Sequence, residues 1–162
     1  MTNDSPVADL QRPDAEELLR SPDPARLAYN GRDGFPRVIP IGFLWTGTAI
    51  VVCTAPTAPK VKALAARPNV ALTIDDIGPP ARALLVRGVA TIEVVDGVAS
   101  EYLAAATKST SGDELAVFEA NVRALYKHMA RITITPNWAR FYDFGADRLP
   151  TFLRRLVDSA SN

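Results

Sequence analysis

Apolar and polar positions along this chain change period twice. Asp14 followed by Glu17 is a capping-box pair ahead of Leu18 and Leu19, which predicts a short helix ending near Ser21 and Pro22. From there the apolar residues cluster in runs rich in Val, Ile and aromatics: "ARLAYN", "PRVIPIGFLW" and "TAIVVCT", separated by the glycine turns "GRDG" and "TG". That is the form of an antiparallel meander with two hairpins. Pro59 suits the first position of a helix over residues 59–67, flanked by Thr57 or Ala58 and ended by Pro68 and Asn69. Strands resume in "VALTIDD" and in the long "ARALLVRGVATIEVV", where Gly88 predicts a bend or bulge.

After Val98 the period becomes helical. Ser111 and Glu114 form a second capping box, and Leu115, Phe118, Val122, Leu125 and Met129 then recur at three- and four-residue spacings, which predicts one helix with a single buried stripe. "RITITP" and "WARFYDF" read as a last strand pair split at Pro136 and Asn137, and "LPTFLRRL" as a terminal helix. The order predicts an α+β, mainly β domain, a barrel with peripheral helices, spanning 13–158 after a flexible polar tail at 1–12.

Composition narrows the function. The 162 residues are 48% hydrophobic and 22% charged, with 18 basic against 18 acidic side chains, so no net field draws in nucleic acid or an anionic membrane. No stretch has the length of a signal-peptide core or of a membrane span. Cys53 is the one cysteine, which excludes an intrachain disulfide and a multi-cysteine metal site, and a cytoplasmic setting is the expectation.

Two of the four lysines, Lys60 and Lys62, fall in the first turn of the 59–67 helix. A helix N-terminus carries roughly +0.5 of a charge, so cations there are unfavourable unless an anion sits nearby. With Thr54 and Thr57 beside them they form a candidate phosphate site, to be weighed against a pair of solvated surface lysines. "TAPTAPKV" lacks the glycines and the hydroxyl residue of a P-loop, and no strand is followed by a dinucleotide-binding glycine fingerprint. His128 has no cysteine or histidine partner and falls at the C-terminal end of the predicted helix, so a structural role is expected and no metal site. Cys53, in an apolar strand, is expected to be inert. Phe43 and Trp45 share a strand face with Ile39 and Ile41, and Trp138, Phe141 and Tyr142 cluster near the C-terminus. Core packing accounts for most of these aromatics, while Trp45 and Trp138, next to turns, are candidates for a cleft rim or a subunit contact.

The ordered series "DGFPRVIPIGFLW", "AIVVCTAPTAPKVKALAARPNVALTI" and "LLVRGVATIE" resembles the pyridoxamine 5′-phosphate oxidase-like split β-barrel family of flavin and deazaflavin proteins. The resemblance runs from about residue 26 to 95, with a weaker echo in "ARITITPNWARFYDF". It implies a six-stranded antiparallel split barrel and a homodimer with cofactor clefts between subunits. It further implies that Thr54, Thr57 and Lys60 hold a phosphate, assisted by Lys62, and that Arg37, Val38, Ile39 and Pro40 contact a flavin ring. Vitamin B6 oxidases carry Ser-Arg before the phosphate lysine and Gln in the strand before the glycine; here Ala58-Pro59 and Ala83 stand in those places. The resemblance therefore implies an oxidoreductase using FMN or the 8-hydroxy-5-deazaflavin coenzyme on a small conjugated substrate, with no side-chain catalyst. The alternative is a non-catalytic carrier of flavin, deazaflavin or haem.

Overall fold

A computed structural model describes residues 5–146 and 148–160. Seven strands form one antiparallel sheet: β1 (Ala25–Asn30), β2 (Pro36–Ile41), β3 (Leu44–Trp45), β4 (Ile50–Thr54), β5 (Asn69–Asp76), β6 (Arg82–Asp96) and β7 (His128–Asp143), in the order β2-β1-β5-β6-β7-β4-β3. Five α-helices accompany them: α1 (Pro13–Arg20), α2 (Pro59–Ala66), α3 (Ser100–Ala106), α4 (Gly112–Leu125) and α5 (Thr151–Ala160).

Both hairpins form. Gly31 N–H donates to the Phe35 carbonyl at 2.8 Å across the first turn, and Gly47, at φ +98°, supplies the left-handed residue of the second. The run 36–45, expected as one strand, is two. The chain steps at Gly42 and Phe43 from one edge of the sheet, β2 on β1, to the opposite edge, β3 on β4. Two linking residues span at most about 11 Å at 3.8 Å per Cα step, so the sheet is rolled until its edges approach each other at this corner. No ladder joins β2 to β3, and the sheet is open and seven-stranded where a six-stranded barrel was expected. The meander fails for the same reason: β4 enters the sheet through β7, not through β1 or β2.

Gly88 marks the bend. The β6–β7 register slips between Arg87, opposite Trp138, and Gly88, opposite Pro136, which leaves Asn137 as the extra residue. A Cβ on Gly88 would lie 2.6 Å from the Thr135 carbonyl oxygen, so only glycine allows this approach. "RITITP" and "WARFYDF" are consequently one bent strand, because the slip absorbs the N–H that Pro136 lacks.

The core lies inside the roll, with Leu27, Ile50, Leu64, Ile74, Leu84, Ile132, Ile134, Phe43 and Phe141 all under 2% exposed or close to it. Burial of each such side chain is worth roughly 1.5–3 kcal/mol. The predicted helical stripe divides: the helix stops at Tyr126, which is extended, Val122 is its one buried residue, and Met129 is buried as part of β7. His128 opens β7 and does not cap a helix; its Nδ1 lies 3.1 Å from the Asp96 carboxylate opposite. Where a polar tail was expected, Leu10 is buried and the Asp9 carboxylate accepts from Phe141 N–H at 2.8 Å and pairs with Arg148 at 3.1 Å. Residues 1–4 of that tail, and 161 and 162 at the other end, lie outside the described residues. No described helix is long and apolar enough to cross a membrane.

Candidate functional site

The open corner produces a cavity of about 320 Å³ between the β3–β4 edge, the start of α2 and the α3–α4 segment. Lys60 lines it because Pro59 begins α2 directly beyond β4, so the second helical residue turns back over the strand. The opposite wall is aromatic, with Tyr102 of α3 stacked on Phe118 of α4 at 5.9 Å between ring centroids and Phe43 across from them. Ala105 and Ala106 keep this wall thin.

Charges inside the cavity are unevenly satisfied. Lys60 is half-buried, makes no hydrogen bond or ion pair among the described residues, and burial alone pushes its pKa down. Lys108, just past α3, is also half-buried and pushed down to about 8, chiefly by burial. Its ammonium donates to the Phe43 carbonyl at 3.1 Å and lies 3.6 Å from the centre of the Phe43 ring. Glu101 is already committed: Arg131 pairs with it at 2.8 Å. Burial opposes its ionised form, but its backbone hydrogen bond and Arg131 outweigh this and hold its pKa below the usual carboxylate range. Burial pushes the Cys53 thiol up to about 11, which makes it a poor nucleophile at neutral pH.

The other residues singled out in the sequence do not converge on this cavity. Arg37, Thr57 and Lys62 line a second concavity, about 410 Å³, on the far side of the α2 start, with Tyr29 and Arg32. There Arg37 is engaged by its own turn, pairing with Asp33 at 2.6 Å and donating to the Phe35 carbonyl at 3.2 Å. Val38 and Pro40 are exposed on the outward face of β2, and Ile39 packs against the core; it is Ile41 and Gly42, one step further, that line the Lys60 cavity. Thr54 ends β4, next to the cavity-lining Cys53. Trp45 is 7% exposed and belongs to the core, on the same inward face as Ile41 and Phe43, so it is no rim residue. Trp138 lies on the outward face of β7 between Arg87, at 4.4 Å, and Arg140, at 5.3 Å, away from both concavities. Lys108, Tyr102 and Glu101 were not singled out in the sequence, since the motif after Val98, the capping box of Ser111 and Glu114, marks a helix start and no chemistry. The scarcity of lysine was the one signal pointing to Lys108. The described residues hold no cluster of three or more His, Cys, Asp or Glu able to bind a metal.

A rolled, open antiparallel sheet with helices over one edge and a cation-lined cleft at the split defines the architectural class. The pyridoxamine 5′-phosphate oxidase family model matches residues 12–141, and the chain belongs to that family. Among solved structures, an F420 reductase is 26% identical with a TM-score of 0.60, covering 77% of this chain and 94% of that one. A conserved hypothetical protein from Mycobacterium tuberculosis is 22% identical with a TM-score of 0.64, covering 88% of this chain and 92% of that one. The haem storage protein HutZ from Vibrio cholerae is 15% identical with a TM-score of 0.57, covering 82% and 93%; at these last two identities the likeness is one of fold alone. No curated protein matches the chain.

Proposed function

We propose that the chain is an oxidoreductase that binds FMN, or alternatively the 8-hydroxy-5-deazaflavin coenzyme, in the Lys60 cavity and passes hydride to or from a small conjugated substrate. The observation that carries this reading is Lys60, a desolvated cation without a partner among the described residues, at a helix start where an anion is favoured. The donor set suits a phosphate: the Lys60 ammonium in the cavity and, at the adjoining end of β4, the hydroxyl of Thr54, whereas Thr57 lines the other concavity. Ala58 gives α2 no side-chain cap and Pro59 has no N–H, so the Ser-Arg pair of vitamin B6 oxidases has no substitute here and Lys60 carries the contact. Ile41 and Gly42 present the edge of the roll to a planar ring, and the Tyr102–Phe118 wall keeps water from its other side. The bound ring would supply the hydride donor or acceptor, and the chain would supply position and charge. The F420 reductase among the similar structures supports the deazaflavin alternative. A carrier role is separated by turnover with a reduced nicotinamide or deazaflavin donor.

In this reading the protein is a homodimer whose second copy covers the outward face of β1, β2 and β5–β7, where Val38 is 66% exposed and Val89 and Trp138 are also accessible. Fluorescence titration with each cofactor tests the proposal. Lys60→Ala is expected to weaken binding roughly ten- to a hundredfold, the loss of a charge-assisted contact of about 1.5–3 kcal/mol. Unchanged affinity for both cofactors overturns it.

A further inference from the structure

Lys108 is a cation that the cofactor reading leaves without a task. Its two hydrogen-bond acceptors are backbone carbonyls, of Phe43 at 3.1 Å and of Leu19 at 3.4 Å, and its third neighbour is the Phe43 ring. Among the described residues no carboxylate forms an ion pair with it. The charged and titratable groups that face it are Asp23 ahead of β1, which attracts it from a distance, Lys60 from α2, Glu101 held by Arg131, and Tyr102 and Cys53, both neutral at pH 7. The cavity thus holds two ammonium groups against one uncommitted carboxylate. In a chain whose acidic and basic residues balance, that excess is local. With Lys108, the cavity is lined by the apolar or aromatic Phe43, Phe118, Tyr102, Ala105 and Ala106, and by Thr110.

We infer that Lys108 recognises the substrate: the cavity takes a small conjugated acid whose planar body lies on the aromatic wall and whose carboxylate meets the Lys108 ammonium. The inference rests on the reading of this cavity as the reaction site, with Lys60 holding the cofactor phosphate. Burial costs the free ammonium its solvation, and the incoming carboxylate restores a favourable environment to it, so acid binding and protonation of Lys108 are coupled. Since the free amine titrates near pH 8, affinity for the acid falls above that pH, approaching tenfold per unit.

The probe pair is cinnamate and its neutral isostere cinnamamide, titrated into the protein without cofactor and followed by carbon-13 lysine NMR, which four lysines make tractable. Cinnamate is expected to bind roughly tenfold tighter than the amide at pH 7, to raise the titration midpoint of the Lys108 resonance, and to lose affinity above pH 8. Lys108→Met removes both the preference and its pH dependence, while Lys108→Arg keeps the preference and removes the pH dependence. Equal binding of acid and amide, no binding of cinnamate at millimolar concentration, or a Lys108 resonance unmoved at saturation overturns the inference; the last is read on the native chain, whatever the variants do. Failure of the cofactor site is read separately, as unchanged FMN and deazaflavin affinity in Lys60→Ala.

Discussion

Lys60 and Lys62 share one turn of α2 and end in opposite situations. Lys60 turns into a cavity where its charge is desolvated and unanswered, whereas Lys62 stays exposed in a concavity whose other principal cation, Arg37, already has Asp33 at 2.6 Å. The Lys60 cavity is complete only with an anionic guest; in the Lys62 concavity Arg37 is already neutralised by Asp33. Counting cations would rank the two sites the other way, since the lining of the second concavity holds Arg32, Arg37 and Lys62. What separates them is the state of each charge, because an exposed pair is worth about 0–1 kcal/mol and is screened by salt, while a half-buried cation without a partner raises the free energy of the empty protein.

The strongest way to break this contrast is a paired substitution. Lys60→Ala should reduce cofactor affinity roughly ten- to a hundredfold and Lys62→Ala by less than about threefold, as measured by fluorescence titration. Equal losses would merge the two sites into one.

A second handle is pH. The folded-state pKa of Lys108 lies below its ordinary 10.5, so between about pH 8 and 10.5 the unfolded chain still binds a proton that the folded one has released, and the folded state gains stability as pH rises through that window. Urea unfolding at pH 7.5 and 10 should show native protein gaining on Lys108→Met by on the order of 1 kcal/mol, a figure already reduced for the half-exposed position. Cys53 works in the opposite sense above pH 9 because its folded pKa is raised, and the difference between the two proteins cancels it.

Without cofactor, Lys60→Ala should leave stability unchanged or raise it by up to ~1 kcal/mol, since it removes a cation from the positive end of a helix. A clear loss in chemical denaturation would mean that Lys60 has a structural partner. The smallest effect is expected at Arg37. Replacing it by Ala breaks an exposed pair within one turn, costs about 0.2–1 kcal/mol in the denaturation midpoint, and leaves cofactor affinity within about twofold.

Much of the fold was legible because its signals are local. The hairpin turns, Pro59 at the first position of α2 and the irregularity at Gly88 each depend on a few adjacent residues whose backbone preferences decide the outcome. The edge change at Gly42 was not legible. Alternation of side chains continues through Ile41, Phe43 and Trp45 whether the strand runs on or switches partner, so the pattern is silent about which ladder each half joins. The helical stripe misled for a related reason: Met129 keeps the spacing of Leu125 while belonging to a strand, since the chain turns extended at Tyr126.

Sequence alone determined that the chain is mainly antiparallel with interposed helices, that no acid–base or metal constellation is written into its motifs, and that Lys60 is a cation placed against the helix dipole. These follow from periodicity, residue type and helix position, which are properties of neighbours along the chain. Only the tertiary structure decided that Lys60 and Lys62 face different concavities, that Arg37 is occupied by Asp33, that Trp45 is core, and that Lys108 stands with Lys60 around one cavity. The physical reason is that rolling the sheet brings segments from residues 19, 43, 60 and 108 into one place, and the burial and pairing that give each charge its meaning exist only once those distant segments have met.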